Sequence, residues 1–108
     1  MTNQSLEVYL QEHIFNPVEM TNTGFNPQRS NIDRLVRSYS YRNNKLKATN
    51  RDSDFSTKRN EVFMGGSGLV STASDYLKFC QMLLNNGHYK GAKIISRKSI
   101  EMMSSNQI

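Results

Sequence analysis

The sequence predicts a mainly α chain with one small β-hairpin, an α+β arrangement. Three observations carry that prediction. Apolar residues recur at helical spacing near the N-terminus, and again, more strongly, after residue 72. Two short strand-like runs flank Asn43-Asn44, a pair suited to a tight turn. Caps stand where the helical patterns begin: Ser5, Thr72 and Ser96.

Taken in order, Ser5 caps a first helix in which Leu6, Tyr9, Leu10, His13 and Ile14 form one stripe expected to be buried. Glu7 in its first turn suits the helix dipole. Asn16-Pro17 ends it, because the residue before a proline avoids helical dihedrals. Residues 18–31, with Asn22, Gly24, Asn26 and Pro27, read as an ordered loop. Residues 35–42 and 45–49 form the hairpin, and residues 50–61 are a polar, charged excursion. A glycine-rich run, Gly65-Gly66-Ser67-Gly68, leads into the best helix, with Asp75 three residues after its Thr72 cap. Its expected buried face is Ala73, Tyr76, Leu77, Cys80, Leu83 and Leu84. Gly87 stands where a left-handed terminating residue belongs, a turn forms around Gly91, and Ser96 caps a last helix carrying Ile100 and Met103.

Composition narrows the function classes. With 108 residues, 36% of them hydrophobic, the chain can bury one modest core. No apolar run is long enough to cross a bilayer and no basic-then-apolar leader opens the sequence, so no membrane span and no export signal are expected. Cys80 is the single cysteine, which excludes an internal disulfide and a cysteine-based metal cluster. The net charge of +5 is concentrated: residues 29–59 hold nine basic side chains against Asp33, Asp52 and Asp54. Tyr39, Tyr41 and Phe55 interleave with those cations. Nucleic acid is a weak expectation, since no recognised binding motif accompanies the charge; a solvated loop or an acidic partner accounts for it better.

Local patterns that tempt as catalytic each fail. Gly65-Gly66-Ser67-Gly68-Leu69 lacks the second flanking glycine of a nucleophile elbow. No serine is followed three residues later by lysine, and the glycine-rich run has no phosphate-loop lysine. Tyr41-Arg42-Asn43 falls at the predicted hairpin turn and reads as structural. His13 lies on a helical stripe, His88 in a loop, and neither has an acidic pair that would suggest a metal site. Cys80 reads as a small buried hydrophobe. Asp52 and Asp54 sit among cations in a solvated loop. No catalytic residue, metal ligand or cofactor site is expected within the chain.

Two stretches together resemble the serine β-lactamase-like family, which includes class C β-lactamases, penicillin-binding-protein-related esterases and D-amino-acid-peptide hydrolases. The first runs from Ser5 to Thr23 and is similar to a family helix ending in Ile-Phe-x-Pro-Leu-Gly-Met with a following threonine. Here Val18 and Glu19 replace the usual leucine and glycine. The second runs from Gly65 through Leu84, and Asn85-Asn86-Gly87, Gly91 and Ile95-Ser96 continue the likeness. Arg37-Ser38-Tyr39 stands where such proteins turn toward a short strand pair.

The resemblance implies a single partial domain over residues 1–108, part of the helical region of a β-lactamase/transpeptidase-like fold. Residues 1–31 would be helix and loop, 32–64 hairpin and polar loop, and 65–108 the glycine-rich segment and two helices. The family's Ser-x-x-Lys and Tyr-x-Asn groups precede the first helix seen here, and its Lys-Thr-Gly or His-x-Gly follows the last; none falls in this sequence. Tyr41 and Asn43 come in the wrong order to take that role. The implied parent would hydrolyse a β-lactam, an ester or a D-amino-acid peptide through an acylated serine. This chain would frame the cleft, with Gly66, Ser67 and Gly68 as candidate pocket-lining residues, and would be inactive alone. Its partners would be the remainder of the hydrolase, the parent's small-molecule substrate and, through uncovered apolar surface, other copies of itself. Family members are often exported, which leaves this chain's location open. The alternatives are a non-catalytic binding module whose basic loop meets an anionic partner, and, as the weakest, an enzyme with Ser67 as nucleophile.

Overall fold

Ser5 begins the first helix as the spacing requires. Its extended backbone and its Oγ, accepting from the Val8 N–H at 3.3 Å, start α1, Leu6–Leu10. The structure, a computed structural model, describes residues 3–26, 33–48 and 68–107. Beyond Leu10 the helix widens into a π-turn over Gln11–Phe15, in which the Asn16 N–H reaches the Gln11 carbonyl at 2.9 Å. This corrects the expected stripe. The wider turn puts Leu10 and Phe15, five residues apart, toward the core, while Tyr9 and His13 are exposed and stack on each other with ring centroids 4.4 Å apart.

The chain then folds back sharply at Pro17 to Met20. Val18 and Met20 are buried with Phe15 and Met82, and Leu10, Ile14, Phe79, Leu83, Tyr89, Ile94 and Ile95 pack around them. Glu19 holds φ of 61°, the left-handed region where a glycine is unstrained. The glycine that the resemblance implies at this position has its physical reason here.

The hairpin forms as expected at the turn and is shorter at its entry. β1, Tyr39–Arg42, pairs antiparallel with β2, Lys45–Ala48, with Arg42 opposite Lys45. Asn43 and Asn44 hold φ of 52° and 59°, the pair of positive values that a two-residue hairpin turn demands. Residues 35–38 precede the strand instead of extending it. The polar excursion expected over residues 50–61 lies outside the described residues.

α2, Ala73–Leu84, starts at Thr72, whose Oγ1 accepts from the Asp75 N–H at 3.2 Å. The face turned inward differs from the one expected. Asp75 and Met82 are buried and Phe79 and Leu83 meet the core, whereas Tyr76, Leu77 and Leu84 are 63%, 60% and 82% exposed. At 100° per residue Ala73, Tyr76, Leu77, Cys80 and Leu84 lie on the side opposite Asp75 and Met82. The helix therefore has two apolar faces, and spacing alone does not choose between them.

α2 ends at Asn86, with φ of 57°, and Gly87, with φ of 90°; the Gly87 N–H returns to the Met82 carbonyl at 3.0 Å. The Gly87 carbonyl then receives the Ile94 N–H at 2.7 Å and the Ile95 N–H at 3.3 Å. A Cβ on residue 87 would stand 1.8 Å from the Ile95 carbonyl oxygen, so only glycine fits. β3, His88–Tyr89, and β4, Ala92–Lys93, close a minimal hairpin over Lys90 and Gly91. Ser96 caps α3, Arg97–Ser104, by accepting from the Ser99 N–H at 3.1 Å. No residue of α3 is buried, and Met102 and Met103 are exposed.

Candidate functional site

The loop after α1 and the segment before α2 are sewn together. Gly24 and Val70 exchange both backbone hydrogen bonds, at 3.0 and 2.9 Å. The Thr23 and Ser71 hydroxyls lie 2.7 Å apart. Beneath them sits Asp75, 1% exposed, whose Oδ2 accepts from the Asn22 N–H and the Thr23 hydroxyl, each at 2.8 Å. A buried carboxylate needs such donors, because an unpaired charge in the interior is costly. Lys78 adds an ammonium 3.8 Å from Oδ1.

Asp75 thus does more than the expected capping box implies. In that motif the third side chain reaches back to the cap residue's own N–H. Here it reaches across to residues 22 and 23 and pins the loop. Sequence reasoning placed Asp75 on the helix and missed this contact. The one available signal was Asn22-Thr23, two donors beside a glycine, in the segment whose order the resemblance shares.

The seam leaves an open, largely polar cleft of about 300 Å³ between it and the first turns of α1. Glu7 and Gln11 form one wall, Thr21, Thr23, Ser71 and Thr72 contribute hydroxyls, and Arg34 and Leu35 close the side. Glu7 also holds the loop, accepting from Asn26 Nδ2 at 2.9 Å. The opposite end of the loop is tied down at Glu19. Lys78 Nζ donates to the Glu19 carbonyl and Lys90 Nζ to its carboxylate, both at 2.8 Å. The hydrogen bond from Lys90, and then its charge, hold the Glu19 carboxyl below the usual carboxylate range; the same contact raises the Lys90 ammonium.

Of the candidate pocket residues, Gly66 and Ser67 lie outside the described residues. Gly68 has φ of 95°, and a Cβ there would stand 3.5 Å from the ring of buried Phe25. It is two residues from Val70, which lines the cleft. His13 is on α1's π-turn and His88 opens β3, so the structure does not bring either into the cleft. Tyr41 donates its hydroxyl to Asn44 Oδ1 at 3.3 Å, a contact within the hairpin. Cys80 is a free, half-buried thiol on the outer side of α2.

Comparison with known proteins places this architecture. The family profile described as Beta-lactamase matches residues 1–107. The chain belongs to the β-lactamase family. Two proteins of Mycobacterium tuberculosis, the uncharacterized protein MT1414 of strain CDC 1551 and Protein Rv1367c of strain H37Rv, are each 30% identical over 100 residues. Those matches cover 92% of this chain and 25% of either relative. The crystal structure of a candidate β-lactamase from Bacteroides dorei DSM 17855 superposes with a TM-score of 0.60 at 23% identity, over 96% of this chain and 23% of that one. The chain spans about a quarter of the length of the curated relatives it matches. It is a small α+β fragment of a β-lactamase fold, as the resemblance implies.

Proposed function

We propose that this chain is the cleft-framing helical segment of a β-lactamase-like serine hydrolase, and that it supplies shape to the site without supplying its chemistry. The observation that carries the reading is α2. A helix apolar on both sides is one built to be covered on both sides, and here only the Asp75–Met82 side is covered. The uncovered side is where the remainder of a β-lactamase fold would pack. The absence of Ser-x-x-Lys from the sequence agrees with a segment that carries no nucleophile–base pair.

In this reading the Gly24–Val70 seam and the Asp75 knot hold the rim of the substrate cleft, Gly68 stands two residues before Val70 in that rim, and Gly66 and Ser67 are pocket-lining residues on the strength of the resemblance alone. The parent's substrate is a β-lactam, an ester or a D-amino-acid peptide. The test uses the 108-residue chain with a chromogenic cephalosporin and a chromogenic ester. Turnover at the buffer background is the expected result. Turnover above background that disappears on Ser67→Ala would overturn the reading and make Ser67 a nucleophile in its own right.

A further inference from the structure

Asn86-Gly87 is the one Asn-Gly pair in the sequence, and it stands just past the end of α2. Asparagine is among the thermally labile residues. It is most labile before glycine, whose missing side chain leaves its backbone nitrogen unhindered beside the asparagine amide. That nitrogen is the attacking group, and water alone completes the reaction.

The fold keeps the two reacting atoms apart in two ways. Asn86 has φ of 57°, in the small left-handed region open to such a residue. In that conformation the Gly87 nitrogen lies across the Cα–C bond from the Asn86 Cβ, whereas closing a five-membered ring needs both on the same side. The Gly87 N–H is also committed. It donates to the Met82 carbonyl at 3.0 Å, and Gly87 is buried. A backbone nitrogen attacks only after losing its proton to a base, and a hydrogen-bonded amide inside the fold meets solvent only when the structure opens. Asn86 itself is exposed, so the barrier lies in the backbone and not in access to the side chain.

We infer that Asn86-Gly87 is a self-modification site held closed by the C-cap of α2, and that it reacts through the opened cap. In the reaction the Gly87 nitrogen gives its proton to hydroxide and bonds to the Asn86 Cγ. The Cγ–Nδ2 bond breaks, and ammonia leaves with a proton taken from water. Water then adds to either carbonyl of the cyclic imide. The products are an aspartate or an isoaspartyl link in which the main chain runs through Cγ, and nothing is oxidised or reduced. The isoaspartyl link has one additional carbon in the main chain between α2 and β3. Gly87 has no room for it: its carbonyl receives the Ile94 and Ile95 N–H groups while its Cα backs onto the Ile95 carbonyl. A lengthened link does not keep these bonds together with the one to Met82, so the β3–β4 hairpin is released from α2, and Lys90 with it from Glu19. This inference goes beyond the hydrolase reading and does not depend on it.

The test incubates the full 108-residue chain at mildly alkaline pH, with and without denaturing urea, and follows ammonia release and isoaspartate at residue 86 by peptide mapping. Exchange of the Gly87 amide proton is followed by NMR in the same buffers. Loss of Asn86 should be slower in the folded chain by on the order of tenfold or more, and should quicken in step with Gly87 exchange as urea is added. The variant Asn86→Asp carries the new charge without the longer link and should keep its Ile94 and Ile95 amides protected, while the isoaspartyl product loses that protection. Equal loss of Asn86 in the folded and unfolded chains would overturn the proposal. So would a rate that ignores urea while Gly87 exchange quickens, or an isoaspartyl product whose Ile94 and Ile95 amides stay protected.

Discussion

Asp75 is the residue on which the cleft rim depends most. Replacing it with alanine leaves the Asn22 N–H and the Thr23 hydroxyl without their buried acceptor, at about 2–4 kcal/mol. Urea denaturation should report that loss, and the Asn22 amide should shift furthest in an NMR spectrum. Gly87→Ala should cost at least about 2 kcal/mol by the same measurement, combining left-handed strain with a Cβ driven into the Ile95 carbonyl. Glu19 gives an ordering and a pH dependence. Glu19→Gly removes both the strained backbone and the ion pair, whereas Glu19→Ala removes only the ion pair, so the alanine variant should be the less stable. Because the Glu19 carboxyl is held below its ordinary value in the folded chain, its contribution is present above the unfolded carboxylate range. It is lost as pH falls through the folded value. The raised Lys90 contributes below its unfolded value and is lost as pH rises through the folded one. Thermal unfolding of wild type and Glu19→Gln should converge in acid if this is right.

At the scale of elements, what could be read from the residues was whatever is local. Ser5, Thr72 and Ser96 cap where they should, and Asn43-Asn44 makes its turn, because each needs only a few neighbouring backbone groups. The π-turn was not legible, since its signature is a hydrogen-bond shift and not a residue pattern. Nor was the buried face of α2, where both sides read as apolar and only the contacts of Phe79, Met82 and Leu83 choose between them. Asp75 eluded sequence reasoning for a related reason, as its partners are more than fifty residues away along the chain. The uncovered side of α2 makes its own prediction. Leu77→Ser and Leu84→Ser should change stability by no more than about 0.5 kcal/mol, being exposed. They should instead reduce self-association of the chain in sedimentation velocity.

For the whole molecule, the buried apolar set among the described residues is Phe15, Val18, Met20, Phe25 and Met82. Each contributes about 1.5–3 kcal/mol of burial, set against an entropic cost that grows with every ordered residue. A chain that spans a quarter of its relatives should accordingly unfold at low temperature and over a broad range, and should bind a hydrophobic dye while still helical. A sharp, dye-silent transition would mean that the chain closes its own surface.

The pairing of Gly24 with Val70 also bears on how such a chain can change over evolutionary time. Two backbone hydrogen bonds and one buried carboxylate fasten the ends of the span between them, and within it Phe25 is buried and Asn26 is tied to Glu7 while Arg34 and Leu35 line the cleft. Closing a loop twice as long costs only about 0.6 kcal/mol more. Changes of length are therefore best accommodated at the exposed Asn43-Asn44 turn, away from Phe25, Asn26, Arg34 and Leu35, and lineages should diverge in length there before they diverge at the clasp.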